Sequence, residues 1–304
     1  MMFSCSAPGL PEEAQVALIL HILCGFSNAE VAGALLSSIA ATEKRIARAK
    51  KTLASSGRLF ELHDNGELLR RLPAVQRALY LLFNEGYHGA SPEVSVRISL
   101  CREALHLGRM LLEHPACAIP STRALVAVMC LHAARMPARL DSAGDLVPLR
   151  QQDRTLWDPA LTAEGITFLD SSAAGATLSE YHIEAALAAV HANAKTADET
   201  PWAEVVALYD MLMALRPSPV VALSRAIAMG ERDGPEAGLL AVRAIEHDGR
   251  LARTPFYEAA LGDLELRAGR IEAARRHLGA ALEKARNPME RRFFEGRLRT
   301  LVPQ

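Results

Sequence analysis

Residues 39–58, IAATEKRIARAKKTLASSGR, hold six basic side chains (Lys44, Arg45, Arg48, Lys50, Lys51 and Arg58) against one acid, Glu43, in a chain of formal net charge -1. Clustered ammonium and guanidinium groups displace counterions from a polyanion and hydrogen-bond to its phosphates. On a helix turning about 100° per residue, Ile39, Thr42, Ile46, Ala49 and Leu53 share one stripe, with Lys44, Arg48 and Lys51 opposite Ile46. The spacing predicts a helix with a core stripe and a cationic back.

Other candidate chemistry is thinner. Glu85, His88, Asp141, Asp145 and Asp153 are acid/base types in two irregular segments, 79–91 and 135–158, without a nucleophile-base spacing or a phosphate-binding glycine loop. Arg135, Arg139, Asp153, Arg154 and Asp158 equally read as an ion-paired scaffold on which helices dock, and this structural reading ranks ahead of an enzyme. His182 and His191, nine apart on one expected helix, read as core or surface residues, because neither has Cys or carboxylate partners at ligand spacing. Five cysteines, widely spaced and with no C-x-x-C pair, read as reduced thiols in helical cores. No metal or cofactor is expected.

The elements around the basic helix give it a role. Residues 12–23 read as a helix with Pro11 and the acids Glu12 and Glu13 in its first turn, and Gly25 closes it. Asn28 offers an N-cap for a short helix over 29–35, residues 36–38 form a tight turn, and Ser38 can cap the basic helix. A short helix, a turn of about three residues and a longer basic helix make the helix-turn-helix plan, in which the second helix enters the major groove.

LPEEAQVALIL, GFSNAEVAGALLSS and KRIARAKKTL resemble region 4 of the extracytoplasmic-function sigma factors. The resemblance implies an N-terminal module that contacts the promoter -35 element and core RNA polymerase. In that family the recognition helix commonly runs Gly-Thr, hydrophobic, Lys, Ser, Arg, hydrophobic, any, Arg, Ala, Arg; Arg45, Ile46, Arg48, Ala49 and Lys50 fit, whereas Ala40-Ala41 and Glu43 depart. Lys44, Arg45, Arg48 and Lys51 are then candidates for phosphate contacts, one of the arginines for guanine, and Ala41 and Thr42 for base edges. MMFSCSAP resembles the end of the linker after region 2, so the segment that binds the polymerase clamp and melts the -10 element is expected to be absent from this chain.

Low aromatic content, 5%, with abundant Ala and Leu, points to an all-α protein. Helices are expected over 68–87, with Leu72, Val75, Leu79 and Leu82 inward and Pro73 in a first turn or starting a fresh helix, then over 94–112, 121–135, 160–171 and 180–195. From about 200 to 285, Leu261-Gly262 with Ala274, Leu278 and Ala281 fits tetratricopeptide spacing, and Ala237, Ala241 and Ala244 repeat it one register back. The expected division is a helix-turn-helix at 1–57, a linker at 58–67 and a helical tetratricopeptide-like extension at 68–304. LPAVQRALYLLFNEGY, the 135–158 stretch and the terminal AGRIEAARRHLGAALEKARNPMERRFFEGRL look like the long C-terminal extension of one sigma subgroup, which implies a regulatory or partner-binding role. No apolar stretch of about 18 residues and no cationic leader are present, so a cytoplasmic protein with no membrane partner is expected. The competing reading is a protein-interaction scaffold that has lost DNA readout, with Glu43 as its hint.

Overall fold

The computed structural model describes residues 1–7, 9–55, 65–88, 96–245, 249, 251 and 254–301. Among these residues the regular structure is helical, with no strand and one isolated antiparallel bridge, Leu140 to Leu146. The chain divides into two compact units, the first holding residues 1–130 and 167–175, the second 131–166 and 176–304.

The first unit begins with a short turn, α1 (Met2–Cys5), then α2 (Glu12–Leu18), which widens into a π-helical turn over Ile19–Leu23. There Cys24 N–H reaches the Ile19 carbonyl at 3.2 Å, and Gly25 at φ +72° turns the chain away as only glycine does freely. Next come α3 (Asn28–Ala34), α4 (Ile39–Ser55), α5 (Asn65–His88), α6 (Ile98–Glu113) and α7 (Pro120–Ala134), whose last residues pass into the second unit. Helix α5 is the hub: it packs against α1, α2, α3 and α6, and Leu72, Val75, Leu79 and Leu82 are all buried as their spacing requires. Each such side chain withdrawn from water contributes about 2 kcal/mol.

Pro73 neither starts nor interrupts α5; it sits in its interior on the exposed face. The carbonyl four residues earlier belongs to Leu69, also exposed, so water can take the bond that proline cannot supply. The α5–α6 contact depends on Gly86, where a Cβ would fall 2.7 Å from the Cys101 sulfur and 2.9 Å from the Arg97 carbonyl oxygen. Most of the expected linker, together with Arg58 and the start of the helix expected at 94, lies outside the described residues, and Asn65, Gly66 and Glu67 already belong to α5. Four of the five cysteines are buried, Cys24 is half-buried, and all five are free thiols.

In the second unit, the segment after α7 folds into three 3-10 turns, Met136–Ala138, Leu149–Gln151 and Arg154–Leu156, before α8 (Pro159–Ser172), whose residues from 167 on belong to the first unit, and α9 (Glu180–Asn193). Then α10 (Trp202–Leu215), α11 (Pro219–Asp233), α12 (Pro235–Arg243), α13 (Phe256–Arg267), α14 (Ile271–Glu283) and α15 (Pro288–Arg299) each pack on the next, and α11 also reaches α13. Ala274, Leu278 and Ala281 are buried in one cluster with Phe294, and a Cβ on Gly262 would meet Leu278 Cγ at 2.8 Å. One pair earlier, the register differs by one residue from Ala237, Ala241 and Ala244. Ala244 is exposed, whereas Gly238 and Val242 are buried, with Gly238 lying close against Gly230. Alanines on either side of the stripe make the two registers look alike in sequence.

The acids and arginines of the 135–158 segment are structural. Asp141 Oδ1 accepts from the backbone of Ala143 and Asp145, Asp153 Oδ1 from Thr155 N–H and Oγ1, and Asp158 Oδ1 from Ala160 and Leu161 at the start of α8. Arg154 donates to the carbonyls of His191 and Ala194 at 2.7 and 2.5 Å, closing the end of α9. Its guanidinium and that of Arg135 lie 5.2 and 5.3 Å from the Trp157 ring centroid. The scaffold thus works through caps and cation–π contacts more than through ion pairs among its own members.

Candidate nucleic-acid interface

The helix-turn-helix is built from α2, α3 and α4. Ser27, one residue earlier than expected, is the N-cap of α3. It forms a capping box with Glu30: the Ser27 side chain accepts from Glu30 N–H at 3.2 Å, while Ser27 N–H and Oγ both donate to Glu30 Oε2 at 2.8 Å. The signature was legible, since Ser27 and Glu30 stand at the Ser-x-x-Glu spacing. Burial alone would raise the Glu30 carboxyl, but the hydrogen bonds from Ser27 and Arg97 outweigh it and hold it below the usual carboxylate range.

Between α3 and α4, Leu36 takes a left-handed conformation at φ +50°, unusual for a residue other than glycine, while Ser37 N–H bonds to the Ala32 carbonyl at 2.9 Å. Ser38 then caps α4, its Oγ accepting from Ala41 N–H at 3.2 Å, as its position predicts. The turn fixes the angle at which α4 leaves α3.

Burial along α4 sorts the site residues. Ile46 and Ala49 face inward, Leu53 is half-buried, and Ile39, expected inside, is exposed. Lys44, Arg48 and Lys51 are exposed on the outer face, and among the described residues none has an ion-pair partner. Helical geometry puts Ala40 and Ala47 on one flank of these cations and Ala41 on the other, all three exposed, so the long cations are bordered by a floor of methyl groups. Such a floor lets a helix approach a groove closely. Ala40 and Ala47 were not among the candidates from sequence, although the same 100° arithmetic places them on this face.

Two candidates have other roles. Thr42 is fully buried, and its hydroxyl lies 2.6 Å from Ser37 Oγ, so the base-edge contact expected of it is corrected: Thr42 ties α4 to the turn. Arg45 is turned toward α2 and ion-paired with Glu13 at 2.8 Å, off the outer face. Glu43 sits on the opposite flank, where it accepts from Asn28 Nδ2 at 3.4 Å.

The remaining chemistry-bearing residues come together elsewhere or not at all. Glu85 is buried in α5 beside Arg97, and His88 stacks edge-on against Tyr87. His182 Nδ1 is bonded by Ser179 N–H at 3.0 Å, while His191 packs on Trp202, so the pair shares no site. No grouping of three or more metal-ligating side chains occurs among the described residues, and no described helix is long and apolar enough to cross a membrane.

Residues 5–53 match the family described as Sigma-70, region 4, which covers α2, α3 and nearly all of α4. Residues 71–173 match a family of unknown function, DUF6596. The chain is also similar to an uncharacterized protein of Rhizobium meliloti (strain 1021), 38% identical over 305 residues that take in 100% of this chain and 71% of that relative. No solved structure matches. A capped helix-turn-helix with a cationic outer face, a region 4 match laid over it and a relative aligned along the whole chain lead to one conclusion: the chain belongs to the same family as the Rhizobium protein, and it carries a sigma-70 region 4 domain at residues 5–53.

Proposed function

We propose that this is a transcription-initiation factor resembling the extracytoplasmic-function group. Its helix α4 enters the major groove of promoter -35 DNA, region 4 also engages core RNA polymerase, and the helical extension serves regulation or a protein partner. The observation that carries the reading is the outer face of α4, where Lys44, Arg48 and Lys51 stand exposed, without an ion-pair partner among the described residues and flanked by Ala40, Ala41 and Ala47. Lys44 and Lys51 suit phosphate oxygens, and the planar Arg48 suits guanine O6 and N7. Glu43, the one hint of lost readout, lies off this face.

In the second unit the serial packing of α10 to α15 and the Gly262–Leu278 approach support reading those helices as degenerate tetratricopeptide-like pairs. A cytoplasmic location follows from the proposed role.

The test is a fluorescence-anisotropy titration of the full chain against a -35-bearing duplex and a scrambled duplex at 50 and 200 mM salt. With two phosphate contacts, affinity should fall about 12-fold across that range. The -35 duplex should bind more tightly than the scrambled one at both. Salt-insensitive binding, or equal binding of the two duplexes, would overturn the reading.

A further inference from the structure

A reading helix is useful only at a fixed angle to its neighbours, and α3, which packs on α4 and α5, is also tied to α5 and α6 through one guanidinium. Arg97, the N-cap residue of α6, donates from Nη1 to Glu30 Oε1 at 2.9 Å and from Nη2 to Glu85 Oε1 at 2.6 Å. Its guanidinium carbon lies 5.8 Å from the Phe26 ring centroid, at the entry to α3. Glu30 is the same carboxylate that closes the α3 capping box, and Glu85 is only 4% exposed inside α5.

The arginine is itself held. Its backbone N–H bonds to the Gly86 carbonyl at 2.7 Å, at the point where α5 and α6 are too close for a Cβ. A chain of contacts therefore runs from Ser27 through Glu30 and Arg97 to Glu85. It joins region 4, matched over 5–53, to the segment matched over 71–173. The planar fork of arginine can serve two carboxylates at once in a fixed geometry, which a lysine ammonium does less rigidly.

We infer that Arg97 is a positioning residue for DNA reading: it makes α5 and α6 part of the reader, holding α3, and α4 behind it, at the angle the groove requires. This rests on the DNA-binding function proposed above. A ligand or partner that displaces α6 from α5 would then change promoter preference without touching α4.

The experiment uses the full chain with Arg97→Met, Arg97→Lys and the double variant Arg97→Met/Glu85→Gln, which removes the carboxylate's charge together with the arginine's. Circular dichroism first establishes a temperature at which the variants are folded; if Arg97→Met is not, the double variant decides. Anisotropy then gives the preference for a -35 duplex over a scrambled one, its salt slope and, in parallel, hydrogen exchange gives amide protection in α3 and α4. The preference should fall about tenfold in the Met variants with the salt slope unchanged, because Lys44, Arg48 and Lys51 remain, and Lys should restore part of it. Exchange in α3 and α4 should quicken. A folded double variant with wild-type preference and wild-type exchange would overturn the inference. If the wild type itself shows no -35 preference, the proposed function fails, while quickened exchange in the double variant would still support Arg97 as the residue that positions these helices.

Discussion

Helix α4 and the helical array α10–α15 both carry exposed basic residues, and they use them in opposite ways. In α4, Lys44, Arg48 and Lys51 point outward, and among the described residues no acid pairs with them. In the array, Arg225 meets Asp210 at 2.5 Å, Arg267 meets Glu231 at 2.7 Å, Arg297 meets Asp263 at 2.6 Å, and Arg243 and Arg270 converge on the buried Glu265. A cation already facing a carboxylate has little to give a phosphate, since its release must be compensated first. The count of arginines thus says less about nucleic-acid binding than whether each is neutralised within the fold.

The largest test of this contrast exchanges the two sets. Replacing Lys44, Arg48 and Lys51 by alanine should weaken DNA binding about 100-fold near physiological salt and lower the salt slope by about 2, measured by anisotropy. Replacing Arg243, Arg267 and Arg270 by glutamine should leave that slope unchanged. It should instead lower the urea midpoint, because Glu265 stays buried when its arginine partners are removed. A slope reduced by the second set would break the comparison.

Acid sharpens it next. Burial, followed by the nearby charges of Arg135 and Arg139, lowers the His132 pKa from 6.5 to about 3, and burial with Arg135 and Arg154 lowers His191 to about 4. Both folded values lie below the unfolded one, so between them the unfolded chain binds more protons. The stability that comes from keeping these rings neutral is complete above pH 6.5 and is lost as pH falls through the folded values. Between pH 7.5 and pH 5 the urea midpoint should drop by an amount on the order of 2 kcal/mol per histidine. The double variant His132→Leu/His191→Phe should flatten that dependence, and a wild-type midpoint constant over this range would contradict it.

The smallest effect concerns Thr42. Thr42→Val removes the bond to Ser37 and should cost about 1 kcal/mol of stability while leaving base preference unchanged in a binding-site selection. A changed preference at one base pair with unaltered stability would return Thr42 to the reading face.

Much of the reader was legible because its signals are local. The Ser38 cap, the outward set of Lys44, Arg48 and Lys51 and the inward Ile46 and Ala49 follow from a 3.6-residue period and from groups within one helical turn. Ile39 did not follow, because periodicity gives a direction around the helix axis but not whether a neighbour lies there to cover it. The same limit moved the α12 stripe from Ala237 and Ala241 to Gly238 and Val242, where small residues on both sides left the register open. The Pro73 alternatives failed for a related reason: whether a proline breaks a helix depends on whether water can reach the carbonyl it leaves unbonded.

By itself the sequence determined an all-helical chain, a helix-turn-helix at its N-terminal end and the cationic back of α4, since these rest on residue type, spacing and caps. Only the tertiary structure decided which cations find an acid among the described residues, that Thr42 and Arg45 turn away from the outer face of α4, and that Arg97 reaches Glu30 and Glu85. Those outcomes depend on partners dozens of residues away, which packing brings within about 3 Å and which no local period records.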